Sequence, residues 1–110
     1  MKTYQAILTT SIIAGEDIPK GRFVGFDGRL CGANAKALGV SEVDVNQGQP
    51  CPVIVYGIAI VETGGAVSVG DAVTSDNNGR AVVAGVDPVI NGYALDSATQ
   101  AGQFIRVKLV

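Results

Sequence analysis

The 110-residue chain has no histidine and no tryptophan, and its aromatics are limited to three Tyr and three Phe. Without His it lacks the usual general base at neutral pH. For the same reason it can build neither a Cys-His nucleophilic pair nor a Cys/His zinc site. Its two cysteines, Cys31 and Cys51, could form a single disulfide or serve as small buried apolar residues. Charged residues make up 16%, the net charge is −2, and the eight Lys and Arg are scattered. Backbone binding to nucleic acid depends on clustered cations that displace counterions, so no nucleic-acid partner is expected. The longest apolar run, Val53 to Val61, spans nine residues and includes Gly57. A helix needs about 20 to cross a bilayer, so no membrane partner is expected either. The opening "MKTYQAILTTSIIAG" has one Lys and a Thr-rich apolar stretch without an Ala-x-Ala site, which makes a poor secretory signal.

What the chain does have is apolar residues, 47% of the total, and fifteen glycines to interrupt them. That combination excludes disorder and describes one core threaded by many turns. The length fits one domain, and the mass scales to a folded surface of about 5,700 Å².

The punctuation occurs twice. Gly21-x-x-Val24-x-x-Asp27-Gly28-Arg29 corresponds to Gly70-x-x-Val73-x-x-Asp76 followed by Gly79-Arg80, with Asn77 and Asn78 as two additional turn residues. Farther on, Gly39 matches Gly92, Gly48-Gln49 matches Gly102-Gln103, and Val53 matches Val107. The spacing drifts from 49 to 54 positions. Two copies are too few for a solenoid, so the reading is a duplicated single domain. Residues 1–15 form an N-terminal arm or first strand without a counterpart. Residues 16–110 form the duplicated domain, with units at about 18–56 and 67–110.

Each unit begins with a short strand, Arg22 to Phe26 or Asp71 to Ser75, that enters an Asp-Gly or Asn-Asn-Gly tip and returns at Arg29 or Arg80. Gly and Asn tolerate the positive φ that such tips require. Gly21, Asp27, Gly28, Gly70, Asp76 and Gly79 are therefore structural turn residues. Val24 and one of Phe23 or Phe26 should pack inward. A strand opening on Gly39 or Gly92 follows, then the turn "VNQGQ" or "TQAGQ", then a closing strand. In "FIRVKLV", Ile105, Val107 and Leu109 alternate with Arg106 and Lys108, the period-two signature of a half-solvated strand. No segment keeps a helical apolar face over eleven residues. The fold class is therefore all-β, a small sandwich or barrel of about eight to ten short strands with negligible helix.

One strand breaks the alternation. "VIVYGIAIV" is apolar on both faces. Either it runs between the two halves, or its outer face meets another subunit, and both can hold. Gly57 marks the bend where it passes from one half to the other.

The search for chemistry yields little. Glu16 and Asp17 sit in a turn just before Pro19 and do not form a pair, whereas Glu42 and Asp44 would share one strand face, either as a carboxylate dyad or as two solvated acids. Ser41 and Ser68 have no base in a recognisable motif. "DNNG" at Asp76 to Gly79 resembles the start of an EF-hand loop but lacks the closing acidic ligand. "GGAVSVG" has no Lys-Ser/Thr and is not a phosphate loop. No catalytic residue, metal ligand or cofactor is assigned. The segment "TYQAILTTSIIAG" is either an ordinary first strand or an arm that adds to a partner's sheet edge.

The order "AGEDIPKGRFVGFDG", "ALGVSEVDVNQGQPCPVIVYGIAIVETGGAVSVGDAVTSDNNGRAV" and "NGYALDSATQAGQFIRVKL" resembles the tailed-phage capsid cement, or head decoration, proteins over roughly residues 14 to 110. The similar elements are the "V(S/T)xGDxVTSDxxGR" hairpin, the Gly57 bend, the Gly-Gln turn before a Val strand and the final "RVKL" strand. The opening arm departs from that pattern. The resemblance implies a non-enzymatic virion protein on the outer surface of an assembled head, present in the host cytoplasm during assembly. It implies the major capsid protein as partner and trimers at three-fold positions that stabilise contacts between capsid subunits. The candidate trimer or capsid contacts are Tyr4, Ile7, Ile12 and Ile13 of the opening segment and Ile54, Tyr56 and Ile58 of the central strand. The alternative is a small-ligand or carbohydrate-binding β-module, for which exposed aromatics are scarce.

Overall fold

A computed structural model describes residues 3–110 as an all-β domain with no helix among them. Its eight strands are β1 (Gln5–Ile13), β2 (Phe23–Val24), β3 (Gly39–Ser41), β4 (Pro50–Glu62), β5 (Ala72–Ser75), β6 (Ala81–Val83), β7 (Gly92–Ala94) and β8 (Phe104–Leu109). They make one antiparallel sheet in the order β2-β3-β4-β8-β7-β5-β6, with β1 added to β4. The accessible surface is 5466 Å², close to the value the chain's mass implies.

β4 is the spine. Ile54 is partnered by both Val40 of β3 and Thr9 of β1, and Ile58 by both Lys108 of β8 and Gln5 of β1. β1 therefore occupies one edge of β4, while β3 and β8 share the other, one along each half. Gly57 lies between the halves at φ +118°, and a Cβ there would run into the Gln5 carbonyl oxygen. Only glycine fits, and the β1–β4 register slips beside it, at Ile7.

The two ends of the strand path meet. The Phe23 N–H of β2 donates to the Gly79 carbonyl in the β5–β6 turn at 2.7 Å, and the Asn34 N–H donates to Ser75 O at 2.9 Å. The sheet thus curls over its larger apolar cluster, which draws Phe23, Val40, Ile54, Val73, Ala81, Ile105 and Val107 from strands at both ends. A second cluster gathers Ala14, Ile18, Val24, Val45, Cys51 and Val53. Val53 and Ile54 are adjacent yet enter different clusters, so β4 is apolar on both faces there because it runs between them.

The same hydrogen-bond plan recurs along the chain. Ala14 N–H donates to Gln49 O at 2.9 Å and Thr63 N–H to Gln103 O at 2.7 Å. Ile18 exchanges bonds with Val45 as Val67 does with Ala98, and Gly21 donates to Ser41 as Gly70 does to Ala94. Two details differ from the sequence expectation. The tips have equal length, since Gly28 N–H bonds Gly25 O and Gly79 N–H bonds Asp76 O, both at 3.2 Å. The two-residue difference lies in the strands instead, since Thr74 and Ser75 make β5 longer, while β2 stops at Val24 instead of reaching Phe26. Phe23 is the buried phenylalanine and Phe26 is 67% exposed. Ile12 and Ile13 pair with Cys51 and Pro50 as Val61 and Glu62 pair with Ile105 and Phe104, so β1 stands to the first half of β4 as the second half of β4 stands to β8.

Candidate interaction surface

β1 is rich in Ile and Thr and contains neither Gly nor Pro, a composition suited to an extended strand. Its other neighbour is solvent. Every residue from Gln5 to Ser11 is exposed, and only Ile12 is half-buried. Such a strand draws little stability from its own domain.

The slip opposite Gly57 turns Ile7 fully outward, to 84% exposure. Beside it Tyr56 is 52% exposed and Ile58 half-buried. These three, with Gly57, Lys108 and Leu109, line a shallow, largely apolar hollow of about 530 Å³. A second hollow of about 280 Å³ has Tyr4, Ile54, Ile60 and Phe104 as its apolar lining and Lys20 and Glu42 among its polar residues. The expected contacts therefore divide. Tyr4, Ile7, Ile13 and Tyr56 are exposed, Ile12 and Ile58 are partly so, and Ile54 is 2% exposed within the core. Ile54 is a packing residue. It lies between Val40 of β3 and Thr9 of β1 with its side chain in the larger apolar cluster, and only its small exposed remainder lines the second hollow.

Phe104 and Ile60 had no place among the sequence candidates. The signal was present for Phe104, because the alternation that sends Ile105, Val107 and Leu109 inward sends Phe104 outward with Arg106 and Lys108.

Of the polar side chains singled out from sequence, Glu16, Asp17, Ser41, Asp44 and Asp76 hold turns. Glu16 Oε2 accepts the Leu30 N–H, Asp17 Oδ1 the Gln47 N–H and Asp44 Oδ1 the Lys20 N–H, at 2.9, 2.9 and 2.7 Å. Asp76 Oδ1 takes both the Asn78 and Arg80 N–H groups, so the EF-hand-like "DNNG" is a self-capped turn. The Ser41 hydroxyl donates to Pro19 O at 2.7 Å. Among the described residues no three His, Cys, Asp or Glu side chains converge as a metal site. The cysteines are free, buried and in separate clusters, and burial pushes both thiols above their ordinary pKa.

One charged group joins the two halves. Glu62 of β4 lies 3.2 Å from Arg22 and 3.9 Å from Arg80, and Arg80 lies 3.2 Å from Asp76.

Comparison with known proteins agrees with this architecture. The family model of the phage cement proteins matches residues 1–109. No curated protein matches the chain. Among solved structures, the head fiber gp8.5 N base of bacteriophage phi29 is similar in fold, with a TM-score of 0.76 at 24% identity, covering 94% of this chain and 93% of that one.

Proposed function

The chain belongs to the phage cement protein family, a structural capsid protein by that membership, and we propose that it decorates the outer surface of an assembled phage or prophage head as a trimer and stabilises contacts between major capsid subunits. The observation that carries the proposal is the β1–β4 surface. Ile7, Tyr56 and Ile58 sit beside a strand exposed on both faces, an arrangement that one domain in water has no reason to keep. Ile12 and Ile13 extend that surface along β1, and Tyr4, just before the strand, adds the second hollow to it. Either a second copy or the capsid lattice would bury it. Three linked copies bind far more tightly than one, because later contacts become effectively intramolecular, and a closed ring follows from cyclic symmetry. The fold of the phi29 head fiber base is consistent with a place on a head.

We also read the chain as two units, with β1 answering to the second half of β4 and so part of the duplication, not an added arm. The shared registers and hydrogen bonds support this. No catalytic group is assigned, and the carboxylates and hydroxyls that hold turns support a non-enzymatic role.

The test is co-sedimentation of the purified protein with emptied, expanded heads of the encoding phage, with light scattering of the protein alone. Saturable binding is expected, with a mass of 11.2 kDa per chain found singly or as three. A protein that stays in the supernatant at every concentration rejects the proposal.

A further inference from the structure

The chain contains two Asn-Gly pairs, Asn78-Gly79 and Asn91-Gly92, and the fold treats them oppositely. Asn91 is buried. Its Oδ1 accepts the Ala37 N–H at 3.0 Å and its Nδ2 donates to Ala35 O at 2.9 Å. Gly92 is fixed in β7 between Val73 and Leu109. Asn78 is exposed at the β5–β6 tip, and its bonds run through its backbone, N–H to Asp76 Oδ1 and carbonyl to Arg22 Nη1. The next nitrogen, that of Gly79, is held by one long bond of 3.2 Å to Asp76 O.

An asparagine in this setting reacts with its own chain. The backbone nitrogen of the following residue attacks the side-chain Cγ, ammonia departs, and a five-membered succinimide forms. Water then opens the ring at either carbonyl, leaving aspartate or isoaspartate. The balance is one water consumed and one ammonia released, with no oxidant or cofactor. A following glycine hinders the attack least because it has no Cβ.

We infer that Asn78 is a spontaneous modification site, at which the β5–β6 tip exchanges a neutral amide for a carboxylate while Asn91 is protected. The position gives the change a consequence. Gly79 O receives the Phe23 N–H, and Asn78 O receives Arg22, so this tip fastens the two ends of the sheet. The nearby charges are two Arg, at 22 and 80, and two carboxylates, Glu62 and Asp76. A third carboxylate upsets that balance. Isoaspartate would also lengthen the backbone inside a four-residue turn and move the carbonyl that Arg22 grips. This seam therefore alters slowly and in one direction, whether or not the chain meets a head.

The test follows the intact protein through prolonged incubation in neutral buffer. Trypsin places Asn78 in the peptide Ala37–Arg80 and Asn91 in Ala81–Arg106, so the two sites are read apart, and fragment ions distinguish Asn78 from Asn46 and Asn77. In the native protein the mass rise of amide-to-acid exchange should accumulate at Asn78 roughly 30-fold faster than at Asn91, which must first lose two buried hydrogen bonds. In denaturant the two rates should converge. Asn78→Gln should stop the growth of the acidic species. Native rates that are equal at the two sites, or an Asn78 as protected by folding as Asn91, would overturn the inference.

Discussion

The backbone N–H of Phe23 donates to the Gly79 carbonyl at 2.7 Å, joining the strand at one end of the sheet to the turn at the other. Phe23 also places a fully buried ring in the larger apolar cluster. Two residues 56 positions apart thus close the domain, one through its ring and backbone and the other through its carbonyl. Gly79 suits the post because its φ is +72° and a Cβ would press on Phe23 O at 2.6 Å.

Phe23→Ala should therefore cost about 3–5 kcal/mol in urea denaturation, the usual loss for emptying a buried aromatic site. Phe26→Ala, three residues on at an exposed tip, should stay within about 0.5 kcal/mol of wild type. Equal losses would contradict the assignment of Phe23 to the core.

Gly57→Ala should destabilise by roughly 2 kcal/mol or more, through positive φ and collision with the Gln5 carbonyl. Because the collision is with β1, exchange of the β1 amides should quicken first. Gly48→Ala is the control. It has φ +87° but open space around it, so strain of about 1 kcal/mol is all that applies.

How much of this could be read from the sequence depends on range. Turns set by one residue were legible, since Gly21, Gly28, Gly57, Gly70 and Gly79 all adopt positive φ. So was the inward set of β8. The tip lengths were not, because aligning Asp27 with Asp76 satisfies residue type, whereas the hydrogen bonds align Gly25 with Asp76. The counterpart of β1 was hidden for a similar reason. Ile12-Ile13-Ala14-Gly15 and Val61-Glu62-Thr63-Gly64 share little beyond a glycine, and what they have in common in space is the manner of pairing, Ile12 with Cys51 of β4 and Val61 with Ile105 of β8. The burial of Ile54 required knowing that two clusters meet across β4.

The buried thiols predict a pH dependence. Burial raises the pKa of Cys31 and Cys51, so the folded chain retains those protons longer than the unfolded one. Their contribution is fully present below the ordinary thiol pKa of about 8.5 and is lost as pH rises beyond it. Denaturation midpoints should fall on the alkaline side, and less so in a Cys31→Ala, Cys51→Ala double variant. A thiol reagent should label both cysteines only after unfolding.

Ile7→Ser and Tyr56→Ser should each leave stability within about 0.5 kcal/mol, because neither side chain is held by the domain. Both should weaken self-association and head binding in scattering and sedimentation. Ile54→Ser should instead unfold the protein, which separates a contact residue from a packing residue.

The most direct measurement is a cryo-electron microscopy map of purified heads carrying this protein. Density for trimers is expected on the outer surface at three-fold or quasi-three-fold positions, with Ile7, Tyr56 and Ile58 buried against a neighbouring copy or a capsid subunit. An outer surface without such density, or copies bound with β1 and the middle of β4 turned to solvent, would contradict the proposal.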